Sequence, residues 1–340
     1  MFKRRTLFVL GAGASAEVNL PVGTQLAKNI GSKLDIRFEH GFTPVGSGDF
    51  ELYEQFKRAF PQESRSYQTA AWLIRDGIQL SSSIDDFLDL HRNNAEVNLY
   101  GKAAIAKSIL EAERESLLYF NRAKGEETIK FDLIADTWLV KFMKILARGL
   151  SRQNVAQIFD NISFIVFNYD RCIEHFLVHA LQRLYGIDEK TAQEICCDLH
   201  IIHPYGCVGQ LPTSSNLGVP FGTTDTRDCL TLAHGIKTYT EQITDASDLL
   251  AIEAGVLSAR CIVFLGFAYH DQNMLMLTPK KALDYMPVYG TAYGMSDDDT
   301  AVVTQQIEGM FAPAQMHRIQ GLQGIEWVIL RDHSGGNACG

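Results

Sequence analysis

The chain has 340 residues, 46% hydrophobic and 21% charged, at a formal net charge of −9. That is the composition of an ordinary globular protein, long enough for one large domain or two unequal parts, and its acidic balance counts against a broad nucleic-acid surface or an anionic membrane as the main partner. No apolar segment approaches the roughly 18 residues of a membrane span and no signal-peptide pattern precedes the first apolar run, so a cytoplasmic protein is expected.

Behind the solvated basic run Lys3-Arg4-Arg5, Leu7 to Leu10 form an apolar stretch that glycine cuts off, which predicts a buried parallel strand. Gly11-Ala12-Gly13-Ala14-Ser15 turns the chain into a helix, with Ala16 in the third position of a G-x-G-x-x-G/A pattern. Such glycines let backbone approach a phosphate while N–H groups at the helix start face the anion. A side chain at Gly13 is therefore expected to block a pyrophosphate. The plain alternative is a strand–helix turn with glycines for tightness. Pro21 breaks the helix after barely two turns, where an ordinary dinucleotide fold would continue it. A short helix follows over Thr24 to Ile30. Leu34 to Glu39 alternates as a strand, which would set Glu39 where a Rossmann acid holds a ribose. Gly41 to Gly48 is expected as a loop.

From about Phe50 to Leu150 the pattern is strongly helical, with Pro61 as the one breaker. Ile84, Phe87, Leu88 and Leu90 suit one helix face behind a Ser81-Ser82-Ser83 cap, with Asp85 and Asp86 in the first turn. Trp138, Leu139, Phe142, Met143, Ile145 and Leu146 form another apolar stripe, read as core. The stretch carries more apolar stripe than one sheet face needs, which predicts self-association. It also separates the glycine turn from the next strand, which counts against a simple βαβ dehydrogenase.

Ile162 to Phe167 resumes the strand pattern and ends in Asn168-Tyr169-Asp170. In an open parallel sheet, polar groups just past a strand's carboxyl end face the ligand crevice. Asn168 offers a donor and an acceptor there; Asp170 offers a carboxylate, or a cap for the helix Arg171 to Leu184. Asp198 to Ile202 is a third short strand that delivers His203-Pro204-Tyr205-Gly206 to the same edge. A histidine so placed is poised as a general base near neutral pH; a structural histidine is the alternative. Further on, Pro287 to Met295 reads as a strand and Ser296 as the cap of a helix through Met310. Asp297-Asp298-Asp299 is the acidic first turn of that helix rather than a metal set. Ile325 to Leu330 can be a final strand, and Ser334 to Gly340 a frayed tail.

Four motifs in this order carry a resemblance. Gly11-Ala12-Gly13-Ala14-Ser15 followed by Leu20-Pro21 resembles the sirtuin fingerprint, and Asn168-Tyr169-Asp170 its Asn-Ile-Asp motif. His203 with its nearby glycine resembles the sirtuin His-Gly, and Cys261 to Ala268 the late strand and Gly-x-Ser loop that holds the adenosine half of NAD. Asp271 lies just beyond, as in prokaryotic sirtuin-like proteins of phage defence, and Ser83 to Leu88 is similar to a segment of that branch. The chain departs from the deacylases. Val22-Gly23-Thr24 stands where they carry Asp-Phe-Arg, and none of its seven cysteines forms the C-x-x-C pairs of their zinc module.

The resemblance implies an α/β fold, a Rossmann-like parallel sheet with an NAD crevice and a large helical insertion, and no zinc module. Residues 1–48 and 160–333 would form the NAD-binding core, 49–159 the insertion and 334–340 the tail. The implied function is an NAD glycohydrolase of phage defence, with NAD+ as substrate and no metal. Gly11, Ala12, Gly13 and Ser15 would hold the pyrophosphate, with Gly266, Ala268 and Asp271 on the adenosine side. Asn168 would orient the ribose or the attacking water, Asp170 would take the carboxamide N–H, and His203 would be the base. The expected partners are further copies of the chain and a defence ATPase, translocase or nuclease. A protein deacylase, a non-catalytic NAD or ADP-ribose sensor, and a dehydrogenase using Glu39 are the rival classes.

Overall fold

In a computed structural model, five strands form one all-parallel sheet at the centre of the protein. The described residues are 2–40, 43–223, 225, 229–244, 246–284 and 286–311; the expected strand Ile325 to Leu330 and the tail from Ser334 lie outside them. In chain order the strands are β1 (Thr6–Leu10), β2 (Arg37–Glu39), β3 (Thr43–Val45), β4 (Ile162–Val166), β5 (His200–Ile202), β6 (Cys261–Leu265) and β7 (Val288–Gly290). The sheet runs β5-β4-β1-β6-β7. After β1 the chain therefore builds outward on one side, through β4 and β5, then returns to build outward on the other through β6 and β7. This is the doubly wound order of a Rossmann-like α/β fold, and its switch point lies between β1 and β6.

The central strand is buried along its length, as a parallel strand covered on both faces must be. Side chains alternate across it. Leu7 and Val9 enter one core with Ile165, Ile262 and Phe264, while Phe8 and Leu10 enter the other with Phe164 and Val166. Beyond the turn at Gly11 the helix α1 (Ala12–Ala16) is a single turn. It stops well before Pro21, because Asn19 takes the left-handed region at φ +71° and swings the chain away. The next helix, α2 (Gly23–Lys33), extends beyond the expected Thr24 to Ile30.

Two expectations fail in the next stretch. The strand at Glu39 does not join the parallel sheet: β2 pairs antiparallel with β3, inside the supposed loop, as a separate hairpin. Glu39 is exposed there and is not beside β1, so the acid a dehydrogenase would use is not at the switch point.

The helical stretch contains α3 (Phe50–Ala59), α4 (Ser64–Gly77), α5 (Ile84–Leu90), α6 (Ala95–Glu115) and α7 (Trp138–Leu146). Its buried residues divide between the two cores. Leu52, Phe56, Ile74, Tyr100 and Ile105 pack on one face of the sheet, and Leu118, Ile134, Leu139 and Phe142 on the other. Most of the apolar stripe is thus buried against the two sheet faces, while Leu90 and Ile145 stay exposed. Ser83 caps α5 through the Asp86 N–H, as its sequence predicts.

The rest follows the α/β pattern, with α8 (Cys172–Tyr185) and α9 (Glu189–Cys197) between β4 and β5. Three helices precede β6: α10 (Cys229–Ala233), α11 (Tyr239–Thr244) and α12 (Ala246–Ser258). After β6 come α13 (Asp271–Leu277) and, beyond β7, α14 (Asp297–Glu308). The strand β7 is shorter than the expected Pro287 to Met295. Ser296 and Asp299 form a reciprocal capping box at the start of α14, which accounts for the acidic run. Among the described residues no helix is long and apolar enough to cross a membrane.

Candidate active site at the carboxyl edge of the sheet

Four neighbouring strands end at one edge, and each releases a polar or glycine segment there. After β1 comes Gly11, after β4 Asn168, after β5 His203, and after β6 Gly266. These are the sequence-predicted residues, brought together by strand order.

The two glycine turns lock against each other. Gly11 N–H donates to Leu265 O and Gly13 N–H to Gly266 O, both at 3.0 Å. A Cβ at Gly13 would lie 2.8 Å from Gly266 Cα, and one at Gly11 2.5 Å from Gly266 O. Gly266 sits at φ +56°, the left-handed region that only glycine enters freely. The glycines therefore serve backbone-to-backbone contact. Their N–H groups are already committed, so the expectation that Gly11 and Gly13 donate to a pyrophosphate does not match this geometry. The N–H of Ala12, with no partner among the described residues, is the donor left in the turn.

A buried hydrogen-bond chain links four of the predicted residues, Gly11, Ser15, Asn168 and Asp170. Asn168 Nδ2 donates to Gly11 O and to Ser15 Oγ, each at 3.1 Å. Ser15 Oγ in turn donates to Asp170 Oδ1 at 3.1 Å, which also accepts from Cys172 N–H at 3.1 Å. Burial raises the Asp170 carboxyl, against the pull of these donors. Asp170 thus braces the entry to α8 and holds Ser15. The side-chain oxygen of Asn168, Oδ1, has no partner among the described residues.

His203 is held at both ring nitrogens. Nδ1 faces Asn168 O at 3.1 Å and Nε2 faces Glu174 Oε1, on the first turn of α8, at 2.7 Å. Both neighbours are acceptors, so the state that satisfies both bonds is the imidazolium. Burial alone would lower the imidazole's pKa, but the Glu174 charge and hydrogen bond, with the Asn168 carbonyl, outweigh it and the net shift is upward. The second Glu174 oxygen is buried with no partner among the described residues. That leaves an unused acceptor beside His203.

Sequence reasoning missed two acids here. Glu174 resembles any acid in the first turn of a helix, where it offsets the dipole. Asp85 looks the same on α5, yet it accepts from the hydroxyl of Tyr169, the residue between Asn168 and Asp170. Burial pushes the Asp85 carboxyl up to about 6, against the pull of that hydroxyl. Tyr205, two residues after His203, donates to Asn273 at 2.6 Å. The rings of Phe167, Tyr205, Phe264, Phe267 and Tyr269 pack together at the same edge. Ala268 and Asp271 are exposed, and Asp271 accepts from Gln306 at 2.6 Å. Among the described residues no group of three or more His, Cys, Asp or Glu could hold a metal. Comparison of the chain with protein-family models and with curated proteins finds no match.

Proposed function

We propose that this edge binds NAD and that the chain hydrolyses the nicotinamide–ribose bond to give nicotinamide and ADP-ribose. One observation carries the reading: the glycine turn, Asn168, His203 and the Gly266 loop, whose order resembles that of the sirtuin motifs, end four adjacent parallel strands about the switch point. The groups not yet committed suit the task. Ala12 N–H can meet a phosphate oxygen, and Asn168 Oδ1 can accept a ribose hydroxyl or water.

Nicotinamide leaves as a neutral ring, so the departing group needs little acid help and the chain must chiefly orient the ribose and deliver water. Asn168 is fixed for orientation by its two donated bonds. His203 takes a proton only after giving up its own, and Glu174 keeps its ring aligned, in the way a carboxylate orients a catalytic imidazole. Ser15 and Asp170 hold Asn168 from behind. The absence of C-x-x-C pairs and of Asp-Phe-Arg favours hydrolysis over deacylation. The resemblance extends the proposal to phage defence by NAD depletion, with a partner ATPase or nuclease.

A second reading is a non-catalytic NAD or ADP-ribose binder, favoured by the engagement of both His203 nitrogens. Incubation with NAD, alone and with an acyl-lysine peptide, separates the classes. Hydrolysis gives nicotinamide and ADP-ribose without peptide. O-acyl-ADP-ribose as the main product means deacylation. A raised melting temperature without turnover means a binder. His203→Ala should lose about 10²–10⁴-fold in rate while still binding NAD. Asn168→Ala should lose about 10²-fold through misplacement.

A further inference from the structure

A cavity of about 480 Å³ is lined by residues of α8, α9 and the segments 119–123 and 211–223. Its volume falls in the range of small-molecule sites, about 300–1,000 Å³. Among its lining residues are four rings that pack on one another, Phe120, Phe221, His175 and His179. Phe221 stacks on His175 at 4.0 Å with an interplanar angle of 2°, and Phe120 meets His179 edge-on at 4.9 Å.

The polar groups in these walls define what can enter. Gln182 Nε2 lies 3.3 Å from His179 Nδ1. An amide nitrogen can only donate, so His179 carries its hydrogen on Nε2. His175 Nε2 lies 3.2 Å from Leu118 O, so it donates there and its Nδ1 keeps an open lone pair. The N–H of His179 and the lone pair of His175 have no partner among the described residues, although His179 is only 5% exposed. The two imidazoles are 4.6 Å apart, close enough for the edge of one flat ring to reach both. Burial holds both imidazoles uncharged: His175 falls well below the usual histidine value and His179 is pushed down to about 4.

The mouth is charge-balanced. Arg122 pairs with both carboxylate oxygens of Glu189, at 2.8 and 2.9 Å. A phosphate would have to break this pair, whereas an uncharged ring would not.

We propose that this cavity is a second ligand site, which takes an uncharged planar heteroaromatic of nucleobase class. The ring enters beside Phe120 and Phe221, and its donor–acceptor edge meets His175 and His179. The proposal does not depend on NAD turnover, since the cavity shares no lining residue with the glycine turns, Asn168 or His203.

Calorimetric titration of the full chain with adenine and with uracil tests it, with cyclohexanecarboxamide as a saturated control. At least one base should bind saturably at about 1 mM or tighter, and the control should not. Ala123→Trp places a large ring at the mouth from an exposed position. It should weaken binding by about tenfold or more and leave the melting temperature of the free protein almost unchanged. His179→Phe keeps a ring but removes the N–H, and should weaken binding by about fivefold or more; it carries the test alone if Ala123→Trp does not fold. Asn168→Ala should bind the bases as the parent does. The proposal is overturned if neither base binds, or if the saturated control binds equally well. It also fails if binding survives both cavity substitutions or disappears in Asn168→Ala.

Discussion

The two hydrogen bonds of His203 set the pH range in which it can accept a proton. Its raised pKa means that the free base appears only as pH climbs above the ordinary histidine value of about 6.5. NAD consumption should therefore show an acid limb above that value. Glu174→Gln removes the stabilising charge and should move the limb to lower pH, while a substitution that merely loosened the fold would leave the limb in place. The rate–pH profile and an NMR titration of the His203 ring check this. Stability runs the other way. The His203–Glu174 pair stabilises most below about pH 6.5, and its contribution fades as pH rises through the folded pKa. Asp85 gives a second signature. Its carboxyl, at about 6 in the folded state against 3.8 unperturbed, keeps its proton where the unfolded chain has lost it. Stability should fall by about 1–3 kcal/mol as pH rises from about 4 to about 6. Asp85→Asn should flatten that slope, measured by urea unfolding at each end of the window.

At the scale of elements, the two glycine turns work as a single joint. Gly13→Val should fail in folding rather than only in ligand binding, because its side chain meets Gly266 before any ligand. A loss of about 1–3 kcal/mol or more is expected from the overpacking. Gly266→Ala should cost a similar amount. The double variant should cost less than the sum, since the same docking is lost once; thermal melts of the three proteins check it. The ends of β1, β4 and β5 were legible in the sequence because a short apolar run followed by glycine or polar residues is a local signal. Gly266, and its grouping with Gly11, Asn168 and His203, came only from the resemblance of four motifs in order. Their partners were not legible. That Gly13 meets Gly266, or that Glu174 meets His203, depends on which strands become neighbours, and no periodicity encodes that. The Glu39 strand misled for the same reason: alternation marks a strand but not the sheet it joins.

At the scale of the whole molecule, one buried ion pair ties the insertion to the sheet. Glu113 near the end of α6 and Arg171 before α8 are 0% and 1% exposed and meet at 2.5 Å. Gly222 N–H adds a third group at 3.0 Å, and Arg171 also reaches Val219 O at 2.6 Å. Removing one partner leaves a buried charge unpaired. Glu113→Ala should therefore destabilise the protein by about 3–5 kcal/mol, read by chemical denaturation. Replacing both residues by apolar ones of similar volume should recover much of that loss.

The joint between the glycine turns also bears on how such a chain can change over generations. Its halves lie far apart in sequence, with the whole helical insertion between them, yet each occupies space that a side chain on the other would need. A recombinant that takes its first turn from one parent and its second from another should survive only if glycine is inherited at both 13 and 266. Drift at either position is held in check by the other, whatever becomes of the ligand.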